Sequence, residues 1–208
     1  MPTLFSPLSF AGLSLRNRVA MPPMWSGKAT AEGLVTPAII DYHRVRAAAG
    51  TALIIVEHAF VHPQGRHSST QIGVHDDACV DGLSRLAAAV HAEGAVACLQ
   101  ISHAGARASS RVTGLPVVAP SPVATSRESN PDAPAELTQA QVAEVIEAFA
   151  AAAWRARAAG FDAVGFPAAH GFLLSQFLSP LTNSRTDEYG GDHARRSRIH
   201  LEVLEAIR

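Results

Sequence analysis

The chain has 208 residues, 48% of them hydrophobic, and its 17 basic and 18 acidic residues leave a formal charge of -1. This length suits one domain over residues 1–208, and the near-zero charge without a basic run excludes the footprint of a nucleic-acid-binding protein. No apolar run is long enough to cross a bilayer and the N-terminus lacks a secretory pattern, so we expect a cytoplasmic protein without membrane attachment.

The first third of the chain is predicted to form a hairpin followed by a strand and a helix. Residues 4–15 alternate apolar and small side chains about a central glycine, which indicates a short hairpin. A strand over 17–24 then ends at a Pro-Pro pair. The next helix begins at Thr36, a suitable N-cap before Pro37, and stops at Gly50.

Two buried strands, over 52–60 and 95–105, flank a helix predicted at 78–92. Cys79 falls in that helix and Cys98 in the later strand. The two cysteines form no CxxC pair, so both are predicted to be buried free thiols.

A long polar loop rich in Pro and Ser leads to the next helix. Thr138 and Gln141 form a capping box at its start, and Gly160 ends it. A fourth strand over 161–169 follows, and a final helix is predicted over 193–207.

This order is a strand followed by a helix, repeated four times. Near-continuous apolar strands joined by helical crossovers predict a parallel sheet covered by helices. Either an open doubly wound sheet or part of a (β/α)8 barrel would have this pattern. The segment after the first strand, AMPPMWSGKA, lacks the GxGxxG fingerprint of dinucleotide-binding open sheets. Polar residues also cluster after the strand ends, where barrel enzymes keep their chemistry.

We therefore predict an α/β fold, a parallel (β/α) barrel of TIM type. A complete barrel normally needs about 250 residues, so the chain is expected to hold only the first four βα units, a half barrel preceded by a short hairpin. Its open strand edges would need to be covered by the missing half or by a homo-oligomer partner.

Polar or unusual side chains follow each of the four strands. A lone histidine there is more often a structural residue than a catalyst, but a glutamine within an apolar strand costs about 1–3 kcal/mol if its amide stays unpaired. Because the carboxyl ends of parallel strands meet at one edge, we expect a shared site. The candidates are Pro23, Met24 and Trp25, then Glu57 and His58, then Gln100 and His103, and last His170.

These residue types are compatible with flavin chemistry, although they do not single it out. An amide such as Gln100 suits a flat heterocycle with alternating carbonyl and N–H groups, for example the pyrimidine edge of a flavin. Met24 and Trp25 would supply apolar walls. A histidine opposite could donate a hydrogen bond to a substrate carbonyl and prepare a conjugated C=C bond for hydride.

Five stretches carry a resemblance to a known family: LFSPLSFAGLSLRNRVAMPPM, IIVEHAFVHPQGR, LQISHAGARAS, VAPSPV and, most distinctive, HGFLLSQFLSPLTNSRTDEYGG. The chain resembles the N-terminal half of the old yellow enzyme family, the NADH:flavin oxidoreductases with an FMN-containing (β/α)8 barrel. The resemblance covers essentially the whole chain but only about half of a family member. It implies FMN as cofactor, NAD(P)H as reductant and hydride transfer from reduced flavin to an α,β-unsaturated carbonyl compound.

The resemblance also assigns roles to individual positions. His170 matches the second member of a pair that holds the acceptor oxygen of the substrate. Arg185, Asp187 and Tyr189 lie in the family's RTDEYGG segment, whose implied role is structural, to brace a loop. The implied flavin contacts are Pro23, Met24, Trp25, His58 and Gln100.

Three departures from the family pattern lie in the segment VGFPAAHGFL, where relatives usually read VEIHxAHGYL. Gly165 replaces an acidic residue, Pro167 replaces the first histidine of the pair, and Phe172 replaces a tyrosine often assigned as proton donor. Because proline has no N–H, Pro167 should lie where strand pairing has already ended. His170 remains as the sole anchor, so we expect weak activity on ordinary enones or a different substrate.

Two alternatives remain open at this point. In the first alternative, the chain is a non-catalytic remnant of a truncated or split barrel that no longer binds FMN. In the second, His58, His103 and His170 are zinc ligands of a barrel hydrolase. The absence of an HxH pair after the first strand argues against the second alternative. We expect no metal.

Overall fold

A computed structural model describes residues 1–123 and 134–208; part of the predicted Pro- and Ser-rich loop lies outside the described residues. The chain divides into two compact units. The first contains Met1–Ala59, Thr70–Gln100 and Trp154–Gly165, and the second contains Phe60–Ser69, Ile101–Ala153 and Phe166–Arg208.

The N-terminal hairpin is confirmed. Strands β1 (Leu8–Phe10) and β2 (Leu13–Leu15) pair antiparallel. The two residues that connect them, Ala11 and Gly12, have φ angles of 48° and 81°. Positive φ at both positions is typical of the tight turn that matches the twist of a two-residue hairpin.

The four predicted sheet strands form one sheet in sequential order. They are β3 (Ala20–Met21), β4 (Leu53–Phe60), β5 (Val96–Ser102) and β8 (Ala163–Gly165). The β3–β4 and β5–β8 pairs are parallel. In this sheet the four strands lie side by side in the order in which they occur along the chain. A doubly wound sheet instead reverses its strand order at a switch point. This order therefore favours the barrel type of topology.

The outer strands β3 and β8 are shorter than predicted. The sequence predicts strands over 17–24 and 161–169, but pairing is confined to two and three residues respectively. Prolines lack the N–H that a ladder needs, and β3 ends just before the Pro-Pro pair. Pro167 follows β8 outside the ladder, as predicted.

The long helices lie close to their predicted positions because their capping signals are local. Helix α1 (Pro37–Ala48) begins after Thr36, whose hydroxyl accepts a hydrogen bond from the amide of Ile39. At the start of α4 (Gln139–Ala158) the capping box forms in both directions, with Thr138 N to Gln141 Oε1 at 2.9 Å and Gln141 N to Thr138 Oγ1 at 3.2 Å. The remaining long helices are α2 (Val80–Ala92) and α6 (His193–Ile207).

Several short elements were not predicted, because each is too short to show a hydrophobic period. They are α3 (Ser110–Thr113), α5 (Leu173–Leu178) and a small parallel pair of β6 (Val118–Ala119) with β7 (Ala135–Glu136).

Each unit has its own apolar core. In the first unit, fully buried residues come from the sheet and from α1 and α2, which contact each other. In the second unit, α5 contacts α6, and the ring of Phe177 lies 6.2 Å from that of Tyr189. Cys79 and Cys98 are buried free thiols, as predicted. Across residues 1–123 and 134–208, no helix is both long and apolar enough to span a membrane.

Candidate active site

An apolar surface follows β3 in the first unit. Met24 and Trp25 are large hydrophobic side chains, yet they are 53% and 50% exposed. Pro23 before them is half-buried. Two adjacent apolar side chains left half in solvent offer a surface that a flat ring can cover.

A buried carboxyl group near the end of β4 holds the segment that follows Trp25. Glu57 is fully buried, and its Oε2 accepts a hydrogen bond of 2.5 Å from the backbone N–H of Ser26. Burial raises the pKa of Glu57, while hydrogen bonds from Ser26 and the charge of Lys28 oppose that shift. Within the described part of the chain, Glu57 Oε1 has no hydrogen-bond partner. The sequence showed Glu57 as a charge within an apolar strand, but not that it anchors a loop.

His58 follows Glu57 and is half-buried. Its backbone carbonyl accepts a hydrogen bond of 3.2 Å from Nε2 of Gln71, a glutamine that is fully buried. The backbone at His58 is therefore fixed by a second side chain of the same unit. Gln71 was not among the predicted site residues, because nothing in its local sequence distinguishes it.

Gln100 is a half-buried glutamine in β5, opposite Gly165 of β8. Its side chain lies on the same face as Cys98, since strand residues alternate between faces. A Cβ placed on Gly165 would meet only the Cys98 sulfur, at 4.0 Å. No described residue forms a hydrogen bond with the Gln100 amide, a group that has both donor and acceptor capacity.

His170 lies in the second unit and is exposed. It has a φ of +60°, and Gly171 after it has a φ of +70°. The carbonyl of His170 accepts a hydrogen bond from Nη1 of Arg107. Its imidazole is therefore presented to solvent on a left-handed turn.

Phe172 replaces the family's tyrosine with a buried ring. It is 9% exposed and belongs to an apolar cluster with Ala104 and Ala108. The guanidinium of Arg107 lies 5.9 Å from its ring centre, and the ring of His67 lies 5.9 Å away. No hydroxyl is available at this position to donate a proton.

His103, which the sequence grouped with the site, has a structural environment. It is 2% exposed, its Nδ1 accepts a hydrogen bond of 3.1 Å from the N–H of Gly105, and a Cβ on Gly65 would lie 2.3 Å from its ring. Burial, with a smaller effect of nearby His62, lowers the pKa of His103 to about 3. A ring this enclosed has no room for a substrate.

Two further predictions concern metal binding and the RTDEYGG segment. Among the described residues, no group of three histidine, cysteine or carboxylate side chains is arranged to hold a metal ion. Arg185 is buried and binds Asp187 through two hydrogen bonds of 3.0 and 2.5 Å. It also binds the carbonyls of Pro120 and Leu137, so its bracing role is confirmed.

The predicted cofactor contacts Pro23, Met24, Trp25, His58 and Gln100 all belong to the first unit, and His170 belongs to the second. The first unit fits a flavin by two observations. An amide without a hydrogen-bond partner in residues 1–123 and 134–208 suits the pyrimidine edge, and exposed apolar side chains suit the ring face.

Comparisons with known proteins agree with this chemistry. A sequence model of the NADH:flavin oxidoreductase / NADH oxidase family matches residues 3–208. The chain is 47% identical to a metal reductase of Desulforamulus reducens, over 100% of this chain and 30% of that protein. It is 41% identical to an NADPH dehydrogenase of Halalkalibacterium halodurans, over 98% of this chain and 59% of that protein.

A solved structure of the old yellow enzyme homologue from Zymomonas mobilis superposes with a TM-score of 0.92 at 31% identity, over 99% of this chain and 59% of that one. The chain thus spans less than two thirds of these relatives. The match over nearly all of its residues shows that the chain belongs to the NADH:flavin oxidoreductase / NADH oxidase family, whose members use FMN with NADH or NADPH.

Proposed function

We propose that the chain is the FMN-facing part of an NAD(P)H oxidoreductase of the ene-reductase type, acting on a small α,β-unsaturated carbonyl compound. The observation that carries this proposal is the half-buried Gln100 amide, which has no hydrogen-bond partner among the described residues, in the same unit as the exposed apolar side chains Met24 and Trp25. The amide would pair with the pyrimidine edge of the cofactor. Pro23 and His58 complete the proposed contacts.

His170 is the proposed substrate anchor. FMN, when bound and reduced, supplies the hydride. The imidazole of His170 is exposed and would donate a hydrogen bond to the carbonyl oxygen of the substrate. That bond strengthens as negative charge develops on the oxygen during hydride addition, which is how such a donor accelerates the reaction.

The proposed activity on simple enones is weak, because two donors of the family pattern are replaced. Pro167 has no N–H and no polar side chain, and Phe172 is a buried ring without a hydroxyl. The proton for the second carbon of the alkene would therefore come from water. The substrate oxygen would be held by His170 with one hydrogen bond where the family pattern provides two.

The architecture that we propose is the first half of a (β/α)8 barrel, forming a single domain. The sequential order of four strands supports it, as does the match to 59% of a longer relative. The outer strands β3 and β8 have no other strand partner among the described residues. We propose that further barrel strands or a second copy of the chain cover these edges. A cytoplasmic location is a separate prediction from the sequence.

Titration of the purified chain with FMN tests the cofactor role of Gln100. FMN fluorescence should be quenched on binding, and Gln100→Ala should weaken binding by about 1–2 kcal/mol, the value of one or two lost hydrogen bonds. That loss is roughly a 5- to 30-fold higher Kd. Gln139→Ala is the matched control, since Gln139 is exposed and the hydrogen bond that its amide forms within the described part of the chain is a long one of 3.5 Å, to Asp187. Equal Kd values for wild type and Gln100→Ala would refute the assignment.

A second candidate, a non-catalytic remnant, is motivated by Pro167 and Phe172. It requires that the chain neither binds FMN nor oxidises NADPH. The same titration, followed by NADPH oxidation with and without cyclohexenone, separates the two candidates. Binding with slow, enone-dependent NADPH oxidation supports the ene-reductase proposal, and rapid enone turnover would contradict the predicted impairment.

A further inference from the structure

The backbone at His170 is held in an unusual conformation. His170 and Gly171 are consecutive residues with φ angles of +60° and +70°. Glycine adopts this left-handed region freely, but an L-residue with a Cβ is strained there. A strained residue persists only when its surroundings hold it, and such residues cluster at functional sites.

The amide of Gln176 is one of the groups that hold this turn. Gln176 lies in α5 and is 2% exposed. Its Nε2 donates to the carbonyl of Gly171 at 2.6 Å and to that of Ala104 at 3.2 Å. Its Oε1 accepts from the N–H of Ala106 at 3.0 Å. One buried side chain thus joins the His170–Gly171 turn to the loop after β5.

The fit around this amide is close. Gly105 has a φ of +59°, and a Cβ at that position would lie 2.3 Å from Oε1 of Gln176. Only glycine therefore allows the loop after β5 to approach the amide. The Gln176 side chain is buried, and the groups that it bonds in the turn and in the loop after β5 belong to the backbone. These hydrogen bonds therefore fix the position of the turn relative to that loop.

Arg107 provides a second connection between the same two segments. Its Nη1 donates to the carbonyl of His170, and its guanidinium lies over the ring of Phe172. A Cβ on Gly171 would be 3.3 Å from Cδ of Arg107, so the side chain lies directly against the turn. A backbone hydrogen bond of 3.0 Å from Leu173 N to His103 O also links the first residue of α5 to the segment after β5.

We propose that Gln176 and Arg107 are positioning residues that fix the left-handed turn and so set the direction of the His170 imidazole. This inference rests on the proposed function in one respect, that His170 anchors the substrate. Neither residue needs to touch a ligand. Their effect is to hold the imidazole in one orientation before the substrate arrives, which removes an entropic cost from the reaction.

The test uses two substitutions that act on different bonds. Gln176→Glu keeps the acceptor for Ala106 but loses both amide donors when the carboxylate is ionised. Arg107→Met keeps the apolar stem but loses the donor to the His170 carbonyl. It tests the positioning role even if Gln176→Glu, at a buried position, fails to fold. Arg107→Lys is the conservative variant and retains a donor. The control is Gln64→Glu, which makes the same change at a position whose amide donates an exposed hydrogen bond of 2.9 Å to the carbonyl of Pro116.

The first measurement does not depend on activity. A carbon–proton NMR spectrum of the histidine rings, with His170 identified by His170→Asn, should show the His170 signals shifted or split in Gln176→Glu and Arg107→Met. The His91 signals of both variants and the His170 signals of the Gln64→Glu control should stay near their wild-type positions, whereas His62 can shift in that control because Gln64 N donates to its ring. Arg107→Lys should restore the His170 signals. Unchanged His170 signals in both variants would overturn the proposal.

The second measurement is steady-state turnover of an enone with NADPH. Misplacing a positioned group by about 1 Å costs up to roughly a hundredfold, so kcat/KM should fall by about ten- to a hundredfold in both variants and stay unchanged in Gln64→Glu. Shifted His170 signals with an unaltered kcat/KM would show that the turn is held but does not serve catalysis, which refutes the positioning role. If the wild type has no turnover while the NMR shifts occur, the proposed function fails and the structural connection stands.

Discussion

Acidification should destabilise the fold through His103. The ring is buried and accepts a hydrogen bond at Nδ1 from Gly105, so the folded chain holds it neutral. Its pKa falls from 6.5 to about 3 because burial penalises the imidazolium, with a smaller effect of His62. In the unfolded chain the same ring takes up a proton near its ordinary pKa.

The sign and size follow from proton linkage. Between about pH 6.5 and 3 the unfolded chain binds a proton that the folded chain excludes, so stability falls as the pH falls through that window. From pH 7 to pH 5 the loss attributable to this ring is about 2 kcal/mol, at about 1.4 kcal/mol per pH unit below the unfolded pKa.

Urea unfolding at several pH values, comparing wild type with His103→Asn, isolates this loss. Asparagine offers an acceptor near the position of Nδ1 but does not titrate. The variant should be less stable at pH 7, because the ring volume is lost beside Gly65. Its free energy of unfolding should nevertheless fall by about 2 kcal/mol less than that of wild type between pH 7 and 5. Parallel pH profiles for the two proteins would refute the reasoning.

Three further substitutions have defined outcomes. Glu57→Gln should raise the free energy of unfolding at pH 7, because burial raises the pKa of Glu57 and makes its ionised form costly in the folded chain. This gain should disappear below the ordinary pKa of 4.5. A variant less stable than wild type at pH 7 would contradict this reasoning. Arg185→Met should cost about 3–5 kcal/mol in urea unfolding, since it leaves Asp187 and two carbonyls without their buried partner, and a cost below about 1 kcal/mol would contradict it. Phe172→Tyr should increase the rate of enone-dependent NADPH oxidation by supplying a proton donor, and an unchanged rate would show that the missing phenol does not limit the reaction.

The sequence predicted the helices well because their start and stop signals are local. Thr36 and the Thr138–Gln141 box bond to amides within three residues, and these bonds are present as expected. The two outer strands, β3 and β8, were predicted to be longer than the segments that pair in the sheet. Pairing depends on which neighbour supplies the opposite groups, and that information is not contained in one strand.

The candidate site was predicted by residue type, and the environments of its members came from contacts far apart in the chain. Gln100 and His103 are three residues apart and looked equally suited to a site. Packing separates them, because Gly65 and the stacked ring of His62 enclose His103, whereas Gly165 leaves space beside Gln100. The roles of Glu57 and Gln176 were not predictable, since Glu57 bonds a residue 31 positions away and Gln176 bonds Ala106 and Ala104, which are 70 and 72 positions away.

The amino-acid sequence by itself determined the alternation of strands and helices, the family and the loss of two polar groups at Pro167 and Phe172. These properties depend on residue identity and on short-range spacing. Only the tertiary structure decided which polar groups are enclosed, which have no hydrogen-bond partner among the described residues, and that Gln176 and Arg107 bond the carbonyls of Gly171 and His170. Burial and long-range hydrogen bonds are set by the elements that pack together, so they become visible only when the chain is folded.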